Sequence, residues 1–194
     1  MNVLQHLRPA VMMTVLFTLL CGLAYPLAVT GVAQLALPAQ ANGSLVRDGA
    51  GHVKGSALIA QAFAGPGYLH PRPSAAGDKG YDATSSSGSN LGPMDPKLAD
   101  RIKGDAKTLA AESAAPIPVD AVTTSGSGLD PDVSPENAAR QTPRIAAARK
   151  VAADEVQTII ARYTEQPALG FIGQPRVNVL LVNRALDAEH PLRN

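Results

Sequence analysis

Three sets of residues in this chain have the types and spacing that chemistry requires: four histidines, a run of oxygen-bearing side chains at Asp130, Asp132 and Ser134, and a serine set between glycines at Ser127. His6, His52, His70 and His190 are far apart, and none has another histidine at the spacing of a metal pair, so they read as lone surface side chains. Asp130, Asp132 and Ser134 imitate the start of a calcium loop. Pro135 stands where the turn glycine belongs, however, and Gln141 where a bidentate glutamate should close the shell, so the calcium reading fails. Ser127 lies in Ser125-Gly126-Ser127-Gly128, which lacks the glycine spacing of a nucleophile elbow. A tight turn explains those glycines better than a serine hydrolase does.

Phosphate chemistry is also missing from the chain. There is no Gly-rich loop ending in Lys-Ser/Thr to cradle nucleotide phosphates. Asp105-Ala106-Lys107-Thr108 does not match the aspartyl-phosphate segment of a transport ATPase and reads as helix surface. Any ATP chemistry must therefore come from a partner.

The elements that would position these residues divide sharply. Between Arg8 and Arg47 there is no Asp, Glu, Lys or Arg, and residues 10–36 are almost wholly apolar. A helix needs about 20 such residues to cross a hydrocarbon core of roughly 30 Å, so a transmembrane helix is expected over 10–36, after a short cytoplasmic segment 1–9. A cleaved signal peptide competes, because Ala39-Gln40-Ala41 has the small-x-small form, but its apolar core would be only about 7–15 residues long. The flanking charges are Arg8 and the terminal amine on one side, and Arg47 and Lys54 with Asp48 on the other. The very short N-terminal side favours staying in the cytoplasm, which places residues 37–194 outside it. Thr18 with Gly22, and Ala24 with Ala28, are small residues four apart that allow a neighbouring helix to approach. A lone anchor fits that spacing equally well; Pro26 favours packing, because partners satisfy the carbonyl it frees.

Residues 42–194 carry all 16 acidic and 16 of the 17 basic residues, for a formal charge of zero, and no cysteine. Neutrality without a Lys/Arg run excludes a nucleic-acid footprint. About 150 residues bury close to 70% of the surface of the unfolded chain, so this part needs no disulfide.

A mixed α/β soluble domain is expected. Residues 55–63 read as a strand or a buried turn, and 65–96, with eleven Gly or Pro and five Ser, as a long irregular loop whose Tyr68 and Tyr81 favour docking on a partner over disorder. Asp95-Pro96 opens a helix, 119–122 reads as a strand and 125–131 as a turn. Ser134-Pro135 starts a short helix that breaks near Thr142-Pro143. A longer amphipathic helix follows, with Ile145, Val151, Val156, Ile159 and Tyr163 inward and Arg149, Lys150, Asp154 and Glu155 outward. Residues 176–183 read as a strand against it.

These motifs, in order, resemble the KdpC family, the C subunit of the potassium-transporting Kdp ATPase. Thr18, Gly22, Tyr25 and Pro26 are similar to its membrane segment and Asn42-Gly43-Ser44 to the turn that follows. Gly55-Ser56, Gln61, Phe63, Tyr68, Arg72-Pro73-Ser74 and Ser87 to Gly92 look like further signatures. The strongest block is Val122-Thr123 with Ser125, Gly126, Ser127, Gly128, Leu129, Asp130, Pro131, Ser134, Gln141 and Arg144, followed by Pro175 to Leu180 and Asn183. Gln174, where an acidic residue is expected, and Arg184 depart from the pattern.

The resemblance implies an inner-membrane complex with two partners, a potassium-selective subunit and a P-type ATPase subunit that hydrolyses ATP. It implies an accessory subunit with no catalytic residue, holding ATP only through the complex and acting as a catalytic chaperone that raises ATP affinity. Ser125 to Gly128, Asp130, Gln141 and Arg144 are the candidate functional loop and helix, and Thr18, Gly22, Tyr25 and Pro26 the membrane packing set. The alternative from the residues alone is a secreted or membrane-anchored binding module.

Overall fold

The computed structural model describes residues 3–192, with side chains from Gln5 onward; the terminal amine invoked for orientation lies outside them. The chain divides into two compact units, residues 1–45 and 46–194.

The first unit is a single rod. Helix α1 (Val3–Leu19) passes through a widened π turn (Leu20–Ala24) into α2 (Tyr25–Ala36). Gln5–Ala36 is a 32-residue helix of mean hydropathy 2.0 with none of its most apolar stretch buried within the chain. At 1.5 Å per residue it extends about 48 Å, more than the roughly 30 Å of a hydrocarbon core. The π turn has a visible cause in Pro26. Proline offers no N–H, and its ring would press on the Gly22 carbonyl four residues back. Widening the preceding turn lets the Tyr25 amide donate to Leu20 O instead. The short α3 (Pro38–Ala41) follows, and Asn42 closes it by donating to Pro38 O and exchanging amide hydrogen bonds with Gln34.

Strand β1 (Leu45–Arg47) begins at the boundary and pairs with β2 (Val53–Ser56) of the second unit. Helix α4 (Pro96–Glu112), the single turn α5 (Val119–Val122), β3 (Asp132–Val133), α6 (Pro135–Arg149), α7 (Ala153–Arg162), β4 (Thr164–Glu165), β5 (Arg176–Asn178) and α8 (Val179–Glu189) follow. Strands β3-β5-β4 form an antiparallel sheet with Asp132 opposite Asn178 and Thr164 opposite Val177. The core comprises Leu69 from the long loop, Val133 and Val177 from the sheet, and Ile145, Val156, Ile159, Val182 and Leu186 from α6 to α8. Asp95 caps α4 as expected, accepting from the Lys97 amide at 2.8 Å.

Five expectations are corrected. Residues 119–122 form a helical turn instead of a strand. Their β-branched residues are overruled by Asp120, whose carboxylate accepts from the Ser134 amide, the Ser134 hydroxyl and the Asn137 amide group. Helix α6 does not break at Thr142; it runs through Pro143. Pro143 and Ala139 are both on the exposed face, so the carbonyl that loses its donor meets water. The single long amphipathic helix is two helices. Lys150 adopts φ 58°, and the amides of Lys150 and Val151 donate to Ala147 O and Ala146 O, a Schellman stop made without glycine. Arg149, assigned to the outward face, is 5% exposed. Lastly, 176–183 is a strand only to Asn178, whose side chain accepts from Leu181 N and starts α8.

Exposed Lys150 in a left-handed conformation costs backbone energy that glycine does not. Lys150→Gly should stabilise the second unit by about 0.5–1 kcal/mol, read as a higher urea midpoint at unchanged slope.

Candidate functional site

The candidate residues of the second unit converge on one stretch of irregular chain. Between Gly65 and Ser74 the backbone makes a turn, closed by the Tyr68 amide on Gly65 O, and then runs on irregular and partly buried, so the polar groups beyond the turn need partners that no neighbouring strand supplies. Side-chain amides act as that strand. Asn183 on α8 accepts from Leu69 N at 2.7 Å and donates to Leu69 O at 2.9 Å. Gln141 on α6 accepts from His70 N at 2.8 Å and donates to His70 O at 3.2 Å. Two consecutive residues are thus clasped by helices on either side.

Two arginines extend the clasp. Arg144 donates to Pro66 O at 2.7 Å, to Tyr68 O at 3.1 Å and to Gln141 Oε1 at 2.7 Å. Arg149 donates to Gly67 O at 2.7 Å, Leu186 O at 3.0 Å, His190 O at 2.7 Å and Asp187 Oδ1 at 2.8 Å. Its guanidinium also lies 5.0 Å from the centre of the Tyr68 ring, which in turn packs against Phe63.

Beyond His70 the same chain is tied to the Ser125–Asp130 turn. Arg72 pairs with Asp130 at 2.7 Å, Ser74 Oγ donates to Gly128 O at 2.6 Å, and Ser87 N donates to Ser127 O at 2.9 Å. Gly128 is required here. It has φ +68°, and a Cβ would come within 2.6 Å of Ser87 O and 2.7 Å of Ala76 N. The neighbouring Gly126 carbonyl already stands only 3.0 Å from where a Cβ on Gly88 would be. Ser125 is buried, and Ser127 Oγ accepts from Leu129 N, closing its own turn. Tyr81 donates to Arg72 O at 2.8 Å. The aromatics expected to dock the long loop on a partner therefore dock it on its own domain.

The candidates of the loop and helix thus belong to one network, with the turn at one end of His70–Ser74 and Gln141 with Arg144 at the other. Thr18, Gly22, Tyr25 and Pro26 belong to the first unit and are exposed there, with the π turn in their midst. A Cβ on Gly22 would meet nothing within 4 Å.

Asn183 and Arg149 are the residues that sequence reasoning undervalued. Asn183 shares a helical face with Val179, Val182 and Leu186, and a polar residue on an otherwise apolar face is the signal that points to it. For Arg149 no such signal exists, since an arginine at a helix end is ordinarily exposed.

Chemically the arrangement is a brace. Gln141, Arg144, Arg140, Asn137, Glu112 and His70 line a polar cavity of about 50 Å³, room for a water or two but far too small for a nucleotide. Asp130 and Asp132 are engaged by cations, Asp132 by Arg176 at 3.1 Å. Burial and the neighbouring Asp130 charge push the Asp132 carboxyl up.

Burial, aided by the Arg144 charge, pushes His70 below its ordinary value, against the pull of its 2.9 Å contact with Gly65 O. The unfolded chain then binds the proton first. The stability held by neutral His70 is present above about pH 6.5 and is lost as pH falls through the depressed folded value. Asp132 acts with the opposite sign and only in the carboxylate range. His70→Gln should flatten the fall of the urea midpoint as pH drops below about 6.5.

Comparison with known proteins gives the family. The family model of the K+-transporting ATPase c chain, KdpC, matches residues 7–188. The potassium-transporting ATPase KdpC subunit of Caulobacter sp. (strain K31) is 65% identical over 189 residues, covering 97% of this chain and 96% of that one. That of Caulobacter vibrioides (strain NA1000 / CB15N) is 64% identical over 97% of this chain and 95% of its own length. That of Beijerinckia indica is 56% identical over 98% and 97%. With an apolar helix long enough to span a bilayer at its head and a braced α/β domain behind it, the chain belongs to the KdpC family of subunits of the potassium-transporting ATPase.

Proposed function

We propose that this chain is a non-catalytic accessory subunit of an ATP-driven potassium uptake complex in the inner membrane, with its N-terminus cytoplasmic, residues 10–36 in the bilayer and 37–194 outside the cytoplasm. Its partners are the potassium-selective subunit and the P-type ATPase subunit, and it raises the ATP affinity of the latter as a catalytic chaperone. The observation that carries this reading is family membership together with a chain that lacks a phosphate-cradling loop and commits its candidate polar residues to holding its own backbone. ATP is bound by the complex, not stably by this chain.

With the domain outside, the chaperone effect reaches the nucleotide through the span, and Thr18, Gly22, Tyr25 and Pro26 form the packing face that transmits it by biasing the pump's conformational equilibrium. Ser125, Gly126, Ser127, Gly128, Asp130, Gln141 and Arg144 serve by keeping the domain rigid. Gly22→Leu tests the coupling, because a side chain there meets open space within the chain and leaves its own fold intact. The expected result is a purified complex with a raised KM for ATP, or one that loses this subunit; an unchanged KM with full occupancy would contradict it. Cys21 is the sole cysteine, so Ala114→Cys in a Cys21→Ser background reports orientation. A membrane-impermeant maleimide should label it in intact spheroplasts, and labelling only after lysis would reverse the topology.

A further inference from the structure

Between β4 and β5 the chain makes a finger whose apolar residues are uncovered: Leu169 is 84% exposed, Phe171 77% and Ile172 54%. From Gln166 to Pro175 there is no charged residue, and the neck is neutralised by the Arg176–Glu165 ion pair. Solvent contact of this kind is unfavourable for a loop tip, where polar residues are the norm.

The finger's backbone carries a second sign. The amides of Ala168, Gly170, Phe171 and Ile172 all donate within the finger, to Ile172 O, Pro167 O, Ala168 O and Ala168 O respectively. Leu169, at φ 54°, and Gly170, at φ 82°, hold the tight turn that makes this possible. This closure lowers the cost of taking those four amides out of water, since in lipid each unsatisfied N–H costs several kcal/mol, roughly. The tether adds a third. The same chain carries a bilayer-length helix ending at Ala36, ten residues before the domain begins at Val46, so the domain that bears the finger is tethered within reach of a membrane surface.

We propose that the Leu169–Ile172 finger inserts Leu169, Phe171 and Ile172 into the acyl-chain boundary of the bilayer that anchors the chain, giving the domain a second membrane contact. The inference rests on the helix lying in a bilayer, and is independent of its orientation.

The chain has no tryptophan, so Phe171→Trp supplies a single indole at an exposed apolar position, and Ala114→Trp a reference site. Each full-length variant is reconstituted in phosphatidylcholine–phosphatidylglycerol vesicles, with integration checked by resistance to alkaline carbonate. The expected result is blue-shifted emission from position 171, quenched by acyl-brominated lipid and shielded from iodide, with the reverse at 114. Iodide quenching at 171 equal to that at 114 in integrated protein would overturn the proposal. Shielding that arises only when the other pump subunits are added, without bromolipid quenching, would overturn it in favour of a protein partner. Extraction by carbonate would instead refute the span itself, and the finger's bilayer with it.

Discussion

Arg149→Met should lower the stability of the second unit by about 3–5 kcal/mol, the largest single effect expected of any polar side chain in the clasp. Methionine keeps the length and apolar stem of arginine but offers no donor. The Arg149 side chain is fully buried, and its loss strands the carbonyls of Gly67 and His190 and takes a second donor from Leu186 O, which keeps only the His190 amide. Little of the effect comes from the Asp187 ion pair, because that carboxylate is half exposed. Arg149→Lys should recover less than half, since one ammonium cannot span three carbonyls set around a planar fork. Urea unfolding of the detergent-solubilised chain, followed by a probe in the second unit, measures both. A loss below about 1 kcal/mol for the methionine variant would mean that water replaces the guanidinium, and that the loop is not held from this side.

Asn183→Leu is the second large effect, about 2–4 kcal/mol. Leucine is nearly isosteric and suits the apolar face of α8, so packing is retained while the Leu69 N–H and C=O lose their partners at a site 1% exposed. Gln141→Leu removes the equivalent pairing at His70 and also leaves Arg144 short of an acceptor. Because the two amides grip adjacent residues of one segment, the double variant should cost less than the sum of the singles: once one side releases the loop, the other has less left to hold. Amide exchange gives the spatial readout. Protection of Leu69 and His70 should fall in either variant while that of Val177, in the sheet, changes by the global loss alone.

These residues also mark where the sequence ceased to be legible. The apolar rod over 10–36, the α4 cap at Asp95 and the Ser125–Pro131 turn follow from composition, capping chemistry and glycine placement, all local properties. The errors have one kind of cause. Thr142-Pro143 was expected to end a helix, but a proline on the solvent face costs only one carbonyl that water can satisfy. Lys150 stops α6 because the chain must turn there to pack Val151 against the core, a tertiary demand with no residue signature. Val119 to Val122 and the end of 176–183 were misread as strands because Asp120 and Asn178 act as caps and clamps whose partners are distant in sequence.

The candidate site shows the same limit. Gln141, Arg144 and the serine–glycine turn were identified as residues that matter, through resemblance, but their job was not readable. Gln141 stands in the candidate functional loop and helix on resemblance alone. In the fold its amide is fully engaged with His70, Asn137 and Arg144 beside a cavity that fits water. A functional defect in a Gln141 variant should therefore be read against that variant's stability before any role at a ligand is assigned.

The most direct test of the central claim is gentle detergent extraction of the tagged full-length chain from potassium-starved cells, with mass spectrometry of whatever co-purifies. The account predicts a P-type ATPase chain and a large multi-span partner in stable proportion to the tagged subunit. Recovery of the chain alone, from a preparation that keeps other membrane complexes intact, would contradict it and leave a stand-alone anchored binding module in its place.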